Sequence, residues 1–281
     1  MEHLIALDNV SKRFERFMLN DIHLDLPKGF IMGLIGANGA GKTTTLKLIL
    51  KNLEADSGTI QVFGESQLTP CFREKIGVVM DQLIFPDDWV AKDVAATMKG
   101  FYRRFDGQVF QNYLDRFDLD AKKKLKDYSR GMALKIMLAA ALSHDAELLI
   151  LDEPTSGLDA ITRDELMGIL QEYIKDGQRG VLFSTHITKD LETIADYITF
   201  LDEGQLIYTG PKDELLEKYC MVKGPLLDKD LKEKVIGLTE SGYGYDGLIL
   251  REDLKHFPKD TVVENSTLDD LLVRIHKGGM A

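Results

Sequence analysis

An α/β fold, with helices packed on a sheet, is what this sequence predicts, and three observations carry it. Short apolar runs of strand length alternate with segments whose apolar residues recur every three or four positions. One of those runs leads through a glycine-rich loop directly into a helical pattern. The composition supplies material for a buried sheet, since 44% of the 281 residues are hydrophobic and 29% are charged.

The elements follow in order. Residues 4–10 and 21–26 alternate as strands, the second with Ile22, Leu24 and Leu26 on one side. Pro27, Lys28 and Gly29 make a turn, and residues 30–35 form an apolar strand that stops at Gly36. Residues 42–53 read as a helix with Leu46, Ile49, Leu50 and Leu53 on one side, followed by strands at 59–63 and 76–80. From about 83 to about 145 the period changes. Val94, Met98, Phe101 and Tyr102, then Phe110, Tyr113, Leu114 and Phe117, recur at three and four, so this stretch is expected to be an inserted helical subdomain. Strands at 147–151, 181–184, 197–201 and 205–209 then alternate with helices at 162–174 and 188–195. Beyond about 212 short strands and helices mix. Gly242, Gly244 and Gly247 mark a loop there, and helices are expected at 228–235 and 266–277. In the latter, Leu268, Leu271, Leu272 and Ile275 share a face, Ser266 or Thr267 supplies a cap, and Asp269 and Asp270 occupy the first turn.

Charge and hydropathy exclude several functions. Asp and Glu number 46 against 35 Lys and Arg, a net charge of -11, which disfavours sequence-independent binding of nucleic acid. The longest purely apolar run, residues 136–142, is far short of the ~20 residues a membrane helix needs. The first residues lack the basic start and apolar stretch of a signal peptide. Cys71 and Cys220 have no metal-ligand spacing and are expected to be free thiols in a reducing cytosol.

The chemistry begins at Gly36-Ala37-Asn38-Gly39-Ala40-Gly41-Lys42-Thr43, which fits G-x-x-x-x-G-K-[ST] between an apolar strand and a helix. Such a loop curls its backbone N–H groups inward at phosphate oxygens, and the helix start adds positive potential. Gly36, Asn38, Gly39, Ala40, Gly41, Lys42, Thr43 and Thr44 are therefore the expected nucleotide cradle. Lys42 brings charge to the β- and γ-phosphates, and Thr43 offers a hydroxyl to Mg²⁺. Leu148, Leu149, Ile150 and Leu151 form a buried strand that delivers Asp152 near the same place. Asp152 is the expected acidic group for Mg²⁺, directly or through water, and Glu153 the residue that orients or deprotonates attacking water. Together these describe a P-loop nucleotide hydrolase.

Further residues narrow the class. Gln82 ends a strand, Tyr128-Ser129-Arg130-Gly131-Met132 lies between the two motifs, Pro154-Thr155-Ser156-Gly157-Leu158-Asp159 follows Glu153, and His186 ends the next strand. This ordered set, over about residues 2–215, resembles the ATP-binding subunit of an ABC transporter. The resemblance implies a RecA-like core with an N-terminal antiparallel β subdomain and an ABC ATP-binding domain over 1–212 with the helical insertion at about 83–145. A small α+β extension follows at 213–281. It also implies residue roles. Phe14 falls where an aromatic side chain stacks on adenine, with Phe17 close by. Gln82 touches Mg²⁺ or the lytic water, and His186 contacts the γ-phosphate. Ser129 and Gly131 bind the γ-phosphate held by a second protomer, and Asp159 communicates across the dimer interface. The catalytic set is then Lys42, Glu153 and His186, the metal set Thr43, Gln82 and Asp152, and the cofactors ATP and Mg²⁺.

The signature departs from the usual Leu-Ser-Gly-Gly-Gln at Tyr128, Arg130 and Met132. Arg130 puts charge where glycine is usual and either reaches phosphate or faces the partner surface. This form is similar to a subset of bacterial exporters, chiefly Gram-positive, whose membrane subunit is a separate six-helix chain of the ABC-2 type. The resemblance thus implies a homodimer or heterodimer of ATPase subunits, a separate permease and no nucleic-acid partner. It places the chain in the cytoplasm, on the inner face of the membrane. Phe85, Pro86 and Trp89 are the expected groove for a helix of the membrane subunit. The alternatives are a soluble ABC-type ATPase acting on nucleic acid or protein complexes, and an importer subunit.

Overall fold

A computed structural model describes residues 2–66 and 69–278, without the side chains of Pro70 and Cys71, so the expectation for Cys71 lies outside the described residues. The chain runs β1 (His3–Arg13), β2 (Met18–Pro27), β3 (Ile31–Ile35), α1 (Lys42–Ile49), β4 (Ser57–Val62), α2 (Pro70–Glu74) and β5 (Ile76–Val79). It continues with α3 (Ala91–Phe101), α4 (Gly107–Arg116), α5 (Arg130–Leu142), β6 (Leu148–Asp152), α6 (Ala160–Tyr173), β7 (Gly180–Thr185), α7 (Thr188–Ile194), β8 (Tyr197–Asp202) and β9 (Gln205–Pro211). The remainder is α8 (Lys212–Lys218), β10 (Tyr219–Gly224), α9 (Lys229–Lys232), β11 (Ile236–Ser241), β12 (Gly244–Leu250), β13 (Val262–Asn265) and α10 (Leu268–Gly278).

Nine strands make one mixed sheet in the order β4-β1-β2-β9-β8-β3-β7-β6-β5. Its parallel part joins β3 to β7 and β8, β6 to β7, and β5 to β6. Elsewhere β1 lies antiparallel between β2 and β4, β8 meets β9 antiparallel, and β2 meets β9 in parallel. The parallel strands read as continuous apolar runs because both of their faces are covered. All five residues of β3 are buried. Ile31 and Ile35 enter the core that β3 shares with α5, α6 and α7, whereas Met32 and Leu34 enter the core shared with α1, β1 and β2. Each such burial is worth about 1.5–3 kcal/mol, so β3 is held from both sides and fixes whatever its C-terminal end carries.

Helices α3, α4 and α5 pack beyond the β5 edge and contribute Val94, Met98, Phe110, Leu114 and Met137 to the first of those cores. Their starts have local causes. The Asp93 carboxylate accepts from Val90 N (3.0 Å), Asp106 accepts from Gln108 N (2.7 Å), and Ser129 Oγ accepts from Met132 N (3.2 Å).

Residues after β9 form a second sheet, antiparallel, in the order β11-β12-β10-β13. Cys220, Val222, Val235, Tyr245, Ile249 and Phe257 make its own small core. Tyr219, Met221 and Leu248 instead join the main core with Leu268, Leu271 and Ile275 of α10. Helix α10 is pinned to α7, where Leu268 N donates to Glu192 Oε1 (2.7 Å) and Thr188 Oγ1 to Asp269 Oδ1 (3.3 Å). Its far end pairs His276 Nδ1 with Asp202 Oδ1 at 2.9 Å. Cys220 is a buried free thiol, and burial pushes its pKa up.

Several expectations are corrected. The first helix stops at Ile49, and Lys51 turns left-handed at φ 53°. Gly244 and Gly247 lie in β12 and not in a loop; Gly247 leaves room for the Val235 side chain. The helix expected over 228–235 shrinks to Lys229–Lys232.

Candidate active site

The glycine-rich loop leaves the C-terminal end of β3, the strand held from both faces. At Gly36 a Cβ would collide with the Leu201 carbonyl oxygen, so glycine lets the loop lie directly on the end of β8. Gly204 N, in the turn after β8, donates to Ala40 O (3.1 Å) and locks the loop from below. Lys42 is 6% exposed and curls back over the loop, donating to Gly36 O (2.8 Å) and Ala37 O (3.3 Å). Its ammonium lies 3.2 Å from Glu153 Oε1.

The strand β6 ends beside it. Asp152 is 3% exposed, accepts from Thr43 Oγ1 at 3.1 Å through Oδ2, and accepts from Ser184 Oγ at 2.5 Å through Oδ1. Glu153 adopts φ 48°, a left-handed conformation that costs a non-glycine residue about 1–3 kcal/mol. Its backbone N–H is held by Ser184 O (3.0 Å) and Ser184 Oγ (3.1 Å). The carboxylate then lies between Lys42 and His186, whose Nδ1 is 2.7 Å from Glu153 Oε2. Against a carboxylate oxygen Nδ1 is the donor of that pair, and the Nε2 edge of the ring is left free of it. His186 is held there by its place just after β7, the neighbour of β6 in the sheet.

Two clefts flank the loop and share Phe17, Asn38 and Gly39. One, of ≈ 520 Å³, is also lined by Gly41, Lys42, Thr43, Thr44 and Glu153. The other, of ≈ 470 Å³, is also lined by Ala37, Ala40, Arg16 and His276. Phe14 is 42% exposed and lies outside both linings, its ring 6.2 Å from that of Phe17. The structure thus brings Phe17, and not Phe14, to the mouth of the loop.

Donors suited to Mg²⁺ are present. A threonine hydroxyl and a carboxylate oxygen 3.1 Å apart are hard oxygen ligands. Among the described residues no cluster of three or more His, Cys, Asp or Glu forms an all-protein cage.

The other expected residues lie elsewhere. Gln82 is exposed and lines a ≈ 230 Å³ cavity with Glu153, Pro154 and Arg130, a lining that includes neither Thr43 nor Asp152. Ser129 caps α5 and is exposed. Gly131 is partly buried, with a Cβ position 3.4 Å from Thr162 Cγ2. Asp159 caps α6, accepting from Thr162 N and Thr162 Oγ1, both at 2.9 Å. Those bonds hold its carboxyl below the usual range. Lys42, Thr43, Asp152, Glu153 and His186 are therefore gathered in one place, while Ser129, Gly131 and Asp159 belong to another surface. Sequence reasoning missed Ser184, which ties Asp152 to Glu153; its position beside Asp152 in the β6–β7 register is the signal that would have found it.

Comparison with known proteins agrees with this geometry. The family model described as ABC transporter matches residues 19–156. The chain is 30% identical over 257 residues to the ABC transporter ATP-binding protein YtrB of Bacillus subtilis, covering 89% of this chain and 88% of that one. It is 33% identical over 215 residues to the bacitracin transport ATP-binding protein BcrA of Enterococcus faecalis, covering 74% and 69% respectively. A solved structure of the ATP-binding subunit of an ABC transporter superposes with a TM-score of 0.69 at 24% identity, over 75% of this chain and 91% of that one.

Proposed function

This chain belongs to the ABC transporter family as an ATP-binding, ATP-hydrolysing subunit, and from that premise we propose that it powers export of a peptide, drug or other small molecule through a separate ABC-2-type permease. The observation that carries the catalytic part is the continuous contact chain Thr43–Asp152–Ser184–Glu153–His186, with Lys42 lying across the loop. The export reading is supported by the Ser129-Arg130-Gly131-Met132 form and by the relative that serves bacitracin transport. We assign residues 1–212 to the ATP-binding domain and 213–281 to an extension.

The chemistry follows from placement. Phosphoryl transfer needs positioning and charge stabilisation more than covalent help. Backbone N–H groups of the loop and the Lys42 ammonium hold the β- and γ-phosphates of ATP. Glu153, fixed between Lys42 and His186, accepts a proton from the attacking water. His186 steadies the γ-phosphate by donating an Nε2–H from the edge that Glu153 leaves free. Thr43 and Asp152 would hold Mg²⁺, which when bound neutralises charge on the β- and γ-oxygens. Phe17 offers the base a stacking face. Ser129 and Gly131, at the start of α5, complete the site of a second protomer, since a helix start whose capping hydroxyl still has its proton to donate can bind an anion.

No helix among the described residues is long and apolar enough to cross a membrane. The likeness to ABC transporter ATP-binding proteins supports a place beside a permease, at the inner membrane face. The contact is a groove of ≈ 500 Å³ lined by Ile84, Phe85, Pro86, Trp89 and Phe101. Ile84 is 57% and Phe101 76% exposed, and Phe85 stacks on Trp89 at 6.3 Å. Such an apolar groove fits one amphipathic helix of the partner.

The test is steady-state ATP hydrolysis across protein concentration, with and without the permease. Specific activity that rises with concentration and is lost in Glu153→Gln supports a self-sufficient dimer. Hydrolysis by Glu153→Gln at the wild-type rate would sink the catalytic assignment.

A further inference from the structure

Arg130 has a place in this structure that the resemblance does not give it. Its aliphatic stem lies across the backbone of Gly157, with Cδ 3.1 Å and Nε 3.3 Å from where a Cβ at Gly157 would sit. Gly157 is left-handed at φ 71°. Any other residue there would displace the arginine. Among the described residues the guanidinium has no hydrogen-bond or ion-pair partner; it lines the ≈ 230 Å³ cavity that also holds Gln82, Glu153 and Pro154.

Beyond Glu153, the segment beneath it is closed by short-range bonds of its own. Glu153 is left-handed, and the turn that follows is closed by Ser156 N to Glu153 O and Leu158 N to Thr155 O, both at 3.2 Å. Thr155 is fully buried, yet its hydroxyl finds no partner among the described residues. A clamp on Gly157 therefore acts directly on the backbone that aims the Glu153 carboxylate.

We propose that Arg130 is a positioning residue that acts within its own chain, clamping the 153–159 turn so that the start of α5 and the Glu153 carboxylate move as one body. The start of α5 serves the nucleotide of the second protomer, and Glu153 serves its own. The clamp thereby makes each hydrolysis site responsive to what the other site's phosphate does to Ser129. This rests on the dimeric ATPase reading above.

The experiment mixes two differently tagged chains and reads ATP turnover. Pairing Glu153→Gln with wild type leaves one working carboxylate, whose facing α5 start comes from the Glu153→Gln chain. Arg130→Ala on the chain with intact Glu153 is expected to cut turnover by about tenfold with KM for ATP within about twofold. Arg130→Ala on the Glu153→Gln chain is expected to leave turnover within about twofold. Arg130→Lys, which keeps an aliphatic stem, is expected to recover most of the loss. The reverse pattern would make Arg130 a phosphate contact on the partner's nucleotide and overturn the proposal, as would no change in either pairing. Turnover per wild-type chain that the Glu153→Gln chain does not alter would count against the dimeric reading instead, whereas a silent pair would show that the two sites fire only together. In either event amide exchange of residues 155–159 in the single chain decides. Arg130→Ala is expected to speed it severalfold, and unchanged exchange overturns the clamp.

Discussion

The loop side of the site and the α5 start are made differently. Around the loop, Lys42 and Asp152 are 6% and 3% exposed, and Lys42, Thr43, Asp152, Ser184, Glu153 and His186 all find partners inside the chain. At the α5 start, Ser129 and Arg130 are exposed, and the Ser129 hydroxyl oxygen is engaged by the Met132 N–H of its own helix. One surface is finished and the other is open. The contrast teaches that a buried polar network can be preorganised for charge before its ligand arrives, whereas a helix start facing solvent gains its value when a second surface excludes water from it.

The largest expected effect breaks the finished side at its reactive group. Glu153→Gln keeps the shape of the side chain and removes the base. Turnover is expected to fall by about 10²–10⁴-fold, while ATP affinity stays within about threefold and an ATP-bound dimer accumulates. Phosphate release and size-exclusion with ATP measure both. Lys42→Ala should act on binding, since a charge-assisted contact is worth about 1.5–3 kcal/mol, or roughly 10–100-fold in ATP affinity by titration. The open side calls for a substitution that preserves the helix. Ser129→Asp still caps α5 but sets like charge against phosphate. Turnover should drop by about tenfold, with the melting temperature and ATP affinity of the single chain unchanged. Normal turnover would show that the α5 start meets no phosphate.

The smallest effect concerns two histidines with opposite signs. Burial pushes the pKa of His144 down, and the ring sits 4.1 Å from that of Tyr102. A lowered folded-state value means that stability is lost as pH falls below the unfolded value near 6.5. Asp202 raises the pKa of His276, so its contribution is fully present below 6.5 and is lost as pH rises through the folded value. In His276→Asn the decline in melting temperature from about pH 7.5 to about pH 5.5 should therefore steepen. An unchanged slope would show that α10 does not lean on the turn beside the loop.

Much of this was legible because its chemistry is local. The loop, Asp152 and Glu153 announce themselves by residue type at strand ends, and β3 and β6 read as strands because both faces are buried. Phe17 was harder, because two aromatics three apart in one loop are equivalent until the fold puts one against Gly41. Ser184 was invisible, since a serine near a strand end gains meaning from its neighbour in the sheet. The second sheet was read only as mixed strands and helices. All four residues of β13 are exposed, so no alternation marks that strand, and glycines in β12 imitate a loop where they make room for Val235.

The closeness of Gly36 to Leu201 has a consequence for the order in which this protein is made. The loop is translated early, yet the carbonyl it rests on belongs to β8 and the lock on Ala40 to Gly204. The strands that flank β3 are also late, with Ile31 paired to Val181 and Met32 to Tyr197. Contacts so distant in sequence form only after the intervening chain exists. A ribosome that has released residues 1–180 has thus written the loop without its floor. Stalled nascent chains should gain retention on immobilised ATP in one step, once residue 204 has emerged, rather than gradually with length.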